Sequence, residues 1–100
     1  MRTFPMKRVT VVAEALLEDK IVADLRRLGA RGWTILEARG HGSRGVRASD
    51  WEGRNVQVET IVPEETAQTI LTHVAATYFE HYAVIAYVDA VDVVRSAKYE

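Results

Sequence analysis

Apolar residues recur along this chain at two different spacings, and the switches between them outline its elements. From Lys7 to Ala13 the run Lys-Arg-Val-Thr-Val-Val-Ala is β-branched and apolar on both sides of a pleat, which predicts a central strand covered on both faces. Leu17, Ile21, Leu25 and Leu28 then repeat at helical spacing, with Glu18, Asp19, Lys20, Asp24 and Arg26 among the polar positions between them. Arg26 and Arg27 complement the carboxyl end of that predicted helix, and Gly29 stops it. A second strand is predicted over Gly32 to Ala38, with Trp33, Ile35 and Leu36. A third runs from Arg54 to Val62, where Val56, Val58, Thr60 and Val62 share one face and Gln57 and Glu59 lie on the other. Pro63 at a first helical position, followed by Glu64 and Glu65, opens a second helix whose buried stripe is Ala67, Ile70, Leu71, Val74 and Tyr78. The last strand covers Ala83 to Asp89 or a little beyond, with Val91, Val93 and Val94 after it.

The order βαββαβ predicts an α+β domain of the ferredoxin-like kind, an antiparallel four-stranded sheet with two helices on one face. Such helices leave the other face of the sheet open, and that face is normally polar. Here Val9, Val11, Val12, Val56, Val58, Ile61, Val84, Ile85 and Val88 put apolar side chains on both faces. A second copy of the chain is the simplest cover, so homo-oligomerisation through the open face is expected. One hundred residues make a single domain, 1–100, whose core is modest enough for association to help stabilise it.

Composition narrows the function classes. Thirteen basic and fourteen acidic residues give a formal net charge of -1, so no basic excess points to nucleic acid. The absence of cysteine excludes disulfides, a thiol nucleophile and a thiolate metal site. Met1 to Arg8 carries charges and Pro5 but no apolar run of the length a leader or membrane span requires, and the expected location is cytoplasmic.

Chemistry concentrates between the second and third predicted strands, in a loop at about 40–54. Arg39-Gly40-His41-Gly42-Ser43-Arg44-Gly45-Val46-Arg47 packs three glycines, three arginines, a histidine and a serine into nine residues. Backbone N–H groups that a ligand can approach closely, together with guanidinium forks, suit phosphate or carboxylate oxygens. The stretch Gly40-His41-Gly42-Ser43-Arg44-Gly45 matches G-x-G-x-x-G by letter, but Val46 to Asn55 has no helical periodicity, and a dinucleotide fingerprint must open a helix. A P-loop is excluded because Val46 and Arg47 stand where Lys and Ser or Thr belong. The segment reads as an anion-binding loop.

A ferredoxin-like domain with a long basic loop at this place resembles the PII signalling family. Gly40-His41-Gly42-Ser43-Arg44-Gly45-Val46-Arg47 resembles the G-x-G-S-R-x-V-R of the PII-like branch that includes SbtB and the carboxysome-associated PII proteins. Tyr78-Phe79 followed by Tyr82-Ala83 resembles that branch's Y-F-x-x-Y-A, and Ala13-Glu14 at the end of the first strand is similar too. The likeness covers nearly the whole chain. It implies a non-enzymatic homotrimer that binds an adenine nucleotide, ADP, AMP, ATP or cyclic AMP, in the clefts between subunits, with no covalent cofactor.

Carried over by position, the resemblance gives Gly40, Gly42 and Ser43 the role of phosphate donors and Arg44 and Arg47 that of charged contacts, with His41 where the branch often has Lys. It places Val84 and Ile85 on the adenine side, chiefly through backbone groups, although position 84 is commonly Gly in that branch. Glu14 and Arg95 are the secondary candidates. The carboxysome-associated relatives imply bicarbonate as a second small anion, a link from energy status to inorganic carbon, and a bicarbonate transporter or carboxysome component as the kind of target protein. Longer relatives end in a cysteine-bearing loop tied to redox-regulated nucleotide hydrolysis, an activity not expected here. Without a ligand the loop is expected to be mobile, because Ser43 to Gly53 contains no core-forming stripe, and to present Trp51 and Arg54 to a partner in many orientations.

Other readings fare less well. An acylphosphatase-like hydrolase would cradle phosphate between the first strand and first helix, where this chain has Ala13-Glu14-Ala15 and no arginine. An RNA-binding module of the same topology needs aromatics on its central strands, and Val9 to Val12 and Val56 to Val62 have none. A protein-interaction domain without a small ligand is the remaining alternative. His73 and His81 lack a third ligand at metal-binding spacing and read as surface or packing residues, and Asp89 and Asp92 read as solvated strand-end charges.

Overall fold

A computed structural model of the protein describes residues 1–41 and 54–99. Strand β1, Phe4–Glu14, passes through a short 3-10 turn, Ala15–Leu17, into helix α1, Glu18–Arg27. Strand β2 spans Thr34–Ala38 and β3 spans Asn55–Val62. Helix α2, Glu64–Tyr78, leads to β4, Ile85–Val93, and a last 3-10 turn, Ser96–Lys98. The strands form one antiparallel sheet in the order β2-β3-β1-β4, so the ferredoxin-like arrangement is realised with β1 and β3 central.

Several boundaries differ from the periodicity. The first strand is longer than predicted and the last starts and ends later, because residues 4–12 of β1 pair with all of β4, from Phe4 opposite Val93 to Val12 opposite Ile85. Asp89 therefore lies in the middle of β4 and not at a strand end. Its carboxylate accepts two hydrogen bonds from Arg8, at 2.8 and 3.1 Å, and the guanidinium holds that carboxyl below its usual range. Pro63 is the residue before α2, not its first residue: its ψ of 159° is extended, and its carbonyl accepts the N–H of Ala67 at 3.0 Å.

Alternation decides where the core sits. Val9, Val11 and Ala13 on β1 stand beside Val56, Val58 and Thr60 on β3, all buried under the helices. Leu17, Ile21 and Leu25 descend onto them from one side, and Ala67, Ile70, Val74 and Tyr78 from the other. Each fully buried aliphatic side chain contributes about 1.5–3 kcal/mol. Thr60 enters this layer without an unpaired hydroxyl, since its Oγ1 donates to the carbonyl of Gly32 at 2.7 Å. The opposite face carries Val12 and Ile61, half-buried, with Leu36, Ile85 and Tyr87 exposed. Both faces are apolar in part, as the pattern predicted. No helix among the described residues is long and apolar enough to cross a membrane.

Gly29 ends α1 in a double-bonded cap: its N–H donates to the carbonyl of Arg26 at 3.3 Å and that of Ala30 to Leu25 at 2.9 Å. This geometry needs the positive φ of 110° that Gly29 adopts. The two helices are further joined by a partly buried polar cluster. The Asp24 carboxylate accepts from the Tyr78 hydroxyl, lies 3.1 Å from Nε2 of His73 and receives Nη2 of Arg27 at 3.3 Å. Burial pushes the Asp24 carboxyl up, but the hydrogen bonds from Tyr78 and His73 outweigh burial and leave it below its ordinary value. Burial and the bond to Asp24 push the Tyr78 phenol up. His73 is thus a packing histidine between helices.

Two stability outcomes follow. Gly29→Ala is expected to cost about 1–2 kcal/mol in urea unfolding through backbone strain alone, because an added Cβ meets nothing closer than Thr66 Cγ2 at 3.8 Å. A depressed Asp24 pKa contributes stability that is present above the unfolded value of about 3.9 and lost as pH falls further. Asp24→Asn should therefore flatten the decline in stability that the natural chain shows below about pH 4; an unchanged slope would remove Asp24 from that account.

Candidate functional site

The sheet has one end at which four segments meet. β1 and β2 finish there, β3 and β4 begin there, and the register pairs Glu14 with Asn55, Ala38 with Asn55 and Val12 with Ile85. The loop therefore leaves and rejoins the sheet beside the start of α1. The return limb is fastened to the end of β1, since the N–H of Ala15 donates to the carbonyl of Arg54 at 3.1 Å.

A cavity of about 400 Å³ opens at this end. Two guanidinium groups, Arg39 and Arg54, and two carboxylates, Glu18 and Glu37, line it together with Ala15, Ala38, Asn55 and Val56. Such a lining holds both donors for an anion and acceptors for hydroxyl or amine groups. Gly40 follows directly, with no positive φ and, among the described residues, no atom within 4 Å of where a Cβ would stand. Neither turn strain nor packing against the described residues requires a glycine at that point.

Of the residues singled out from sequence, Glu14, Gly40, His41, Arg54, Val84 and Ile85 are brought to this one end. Val84 points its side chain into the core and leaves only backbone groups for a ligand, whereas Ile85 is exposed on the open face. Glu14 is buried, and its Oε2 has no hydrogen-bond partner among the described residues. Gly42, Ser43, Arg44, Arg47 and Trp51 lie outside the described residues, as does the expected mobility of their segment. Arg95 stands at the other end of the sheet, just past the end of β4. Near it a second cavity, of about 300 Å³, gathers Arg31, Trp33, Glu59, Lys98 and Tyr99 around the start of β2. Arg26 lies 5.1 Å over the Trp33 ring beside it. Among the described residues no group of three or more His, Asp or Glu side chains is placed to hold a metal ion.

Sequence reasoning passed over Glu18, Glu37 and Asn55, and it used Arg39 only as a member of the loop. These residues announce themselves through strand pairing: once β2 is laid antiparallel on β3, Glu37 and Ala38 must lie against Val56 and Asn55. Spacing along the chain carries no such signal.

Residues 6–98 match the family described as nitrogen regulatory protein P-II. Among solved structures, a PII-like signalling protein of Thermus thermophilus is 57% identical over all of both chains, with a TM-score of 0.87. CPII of Thiomonas intermedia K12, solved with ADP, AMP and acetate, is 23% identical over 99% of this chain and 98% of its own, with a TM-score of 0.88. The same protein solved with ADP and bicarbonate gives 23% over the same shares and a TM-score of 0.86. At that identity the two CPII structures speak for the fold alone.

If Gly40 serves a ligand and not the fold, Gly40→Ala should leave stability within about 0.5 kcal/mol of the natural chain. Thermal and urea unfolding check this, and a larger loss would show that the fold itself needs the glycine.

Proposed function

The chain belongs to the P-II family, and on that footing we propose that it is a non-enzymatic regulatory protein, a homotrimer that binds an adenine nucleotide in the clefts between its subunits. The observation that carries this reading is the cavity at the loop end of the sheet, where Arg39 and Arg54 flank the two limbs of a glycine- and arginine-rich loop. In the proposed complex, N–H groups of Gly40 and Gly42 and the Ser43 hydroxyl donate to phosphate oxygens, Arg44 and Arg47 supply charge-assisted contacts, and His41 assists. Ile85 and the backbone of Val84 face the base.

CPII, a structural neighbour with the same fold, has been solved with ADP, AMP and bicarbonate, which supports a nucleotide as the ligand class and bicarbonate as a second, smaller anion. The exposed apolar side chains of Leu36, Ile85 and Tyr87 on the open sheet face support subunit association there. The finer assignment follows the loop wording: a place in the SbtB and carboxysome-associated branch, reporting energy status to inorganic-carbon metabolism. A bicarbonate transporter or carboxysome component is the proposed target. The nucleotide acts by preferring one arrangement of the loop, because a ligand shifts an equilibrium only by its differential affinity for the two states. Trp51 and Arg54 then form the surface the partner reads.

Isothermal titration with AMP, ADP, ATP and cyclic AMP, with and without bicarbonate, tests this directly. One nucleotide per subunit is expected, weakened by about tenfold or more in Arg47→Ala through loss of a charge-assisted contact, together with sedimentation as a trimer. Absence of binding by all four nucleotides would overturn the sensor reading.

A further inference from the structure

Glu14 closes β1 at the loop end of the sheet with only 3% of its surface exposed, yet Oε2 is unpartnered among the described residues. A buried acceptor left without a donor is costly. Native folds satisfy nearly all such groups, so an exception asks what completes it. Its surroundings point to the cavity. Ala15, next in the chain, and Asn55, opposite in register, both line that space, so Glu14 stands directly beside it.

The lining also says what kind of group arrives. Glu18 and Glu37 share the cavity with Arg39 and Arg54, a mixture that a bare anion does not use. A molecule that presents hydroxyl donors close to an anionic group uses both halves. The strand register then orders these parts. Glu14 is flanked on one side by Asn55, at the base of the loop, while Val12, two residues earlier, pairs on the other side with Ile85. Phosphate toward the loop and base toward Ile85, as proposed above, leave the ribose between them. We infer that Glu14 is a ligand-contact residue whose carboxylate accepts hydrogen bonds from the ribose hydroxyls of the bound nucleotide. The inference rests on the nucleotide reading and adds a specificity determinant to it.

Binding of ADP, 2′-deoxyADP and 3′-deoxyADP to the natural chain, Glu14→Gln and Glu14→Ala tests it by titration calorimetry. The natural chain is expected to favour ADP over at least one deoxy analogue by about tenfold or more, the worth of a hydrogen bond to a charged acceptor. In Glu14→Ala the three ligands should bind alike, with melting in the absence of nucleotide no lower than that of the natural chain. Equal affinities in the natural chain, or a preference that survives in Glu14→Ala, would overturn the assignment. The comparison in the natural chain stands even if a variant does not fold. Tight ADP binding without ribose preference would sink Glu14 alone, whereas failure of all three ligands to bind the natural chain would take the nucleotide reading with it.

Discussion

Val9, Val11 and Ala13 remain dry only while β1 is hydrogen-bonded along both edges and both helices lie over the same face. That single condition orders the molecule. Side chains in a strand alternate with a period of two, so slipping β1 by one residue would send Arg8, Thr10, Val12 and Glu14 into the core in their place. β3 must present Val56, Val58 and Thr60 in step with it, and β4 must run antiparallel from Val93 back to Ile85. The helices answer with Leu17, Ile21 and Leu25 on one and Ala67, Ile70, Val74 and Tyr78 on the other.

The same parity builds the far end of the sheet. Because Ala13 is inward, Glu14 is turned to the other face and Ala15 begins the turn that leads to α1. The N–H of Ala15 then catches Arg54 and fixes where the loop returns. Core register and site geometry are thus one constraint, with the charges of Glu18, Glu37, Arg39 and Arg54 gathered around the point where strand pairing stops. The helix-to-helix cluster of Asp24, Tyr78, His73 and Arg27 spends its polar groups on packing the layer above the sheet, not on this site.

The open face holds a different balance. Arg8 and Asp89 pair across β1 and β4 in a half-exposed ion pair, an arrangement that contributes little to stability in water. Around them Val12, Ile61, Leu36, Ile85 and Tyr87 form a surface more apolar than a solvated sheet face requires. For a domain of one hundred residues with a limited core, burial of that surface against other subunits is the natural source of added stability.

Much of this was legible in the residues. The amphipathic stripes of α1 and α2, the alternation in β3, the stop at Gly29 and the two-sided apolarity of the strands are local patterns, and local periodicity reports local structure. The density of glycine and arginine after Arg39 can likewise be read without any fold, as a candidate anion-binding loop. What the chain by itself left open were quantities that depend on a partner distant in sequence. The lengths of β1 and β4 are set by each other, Asp89 is an ion-pair residue because Arg8 lies opposite, and His73 is a packing residue because Asp24 is across the helix interface. The cavity of Glu18, Glu37, Arg39 and Arg54, and beside it the oxygen of Glu14 that has no partner among the described residues, exist only once four strand ends converge. Sequence determined which residues prefer strand, helix or loop, since those preferences act over a few neighbours. Tertiary structure alone decided which of their side chains meet, because that is a matter of cross-strand register and helix docking over tens of residues.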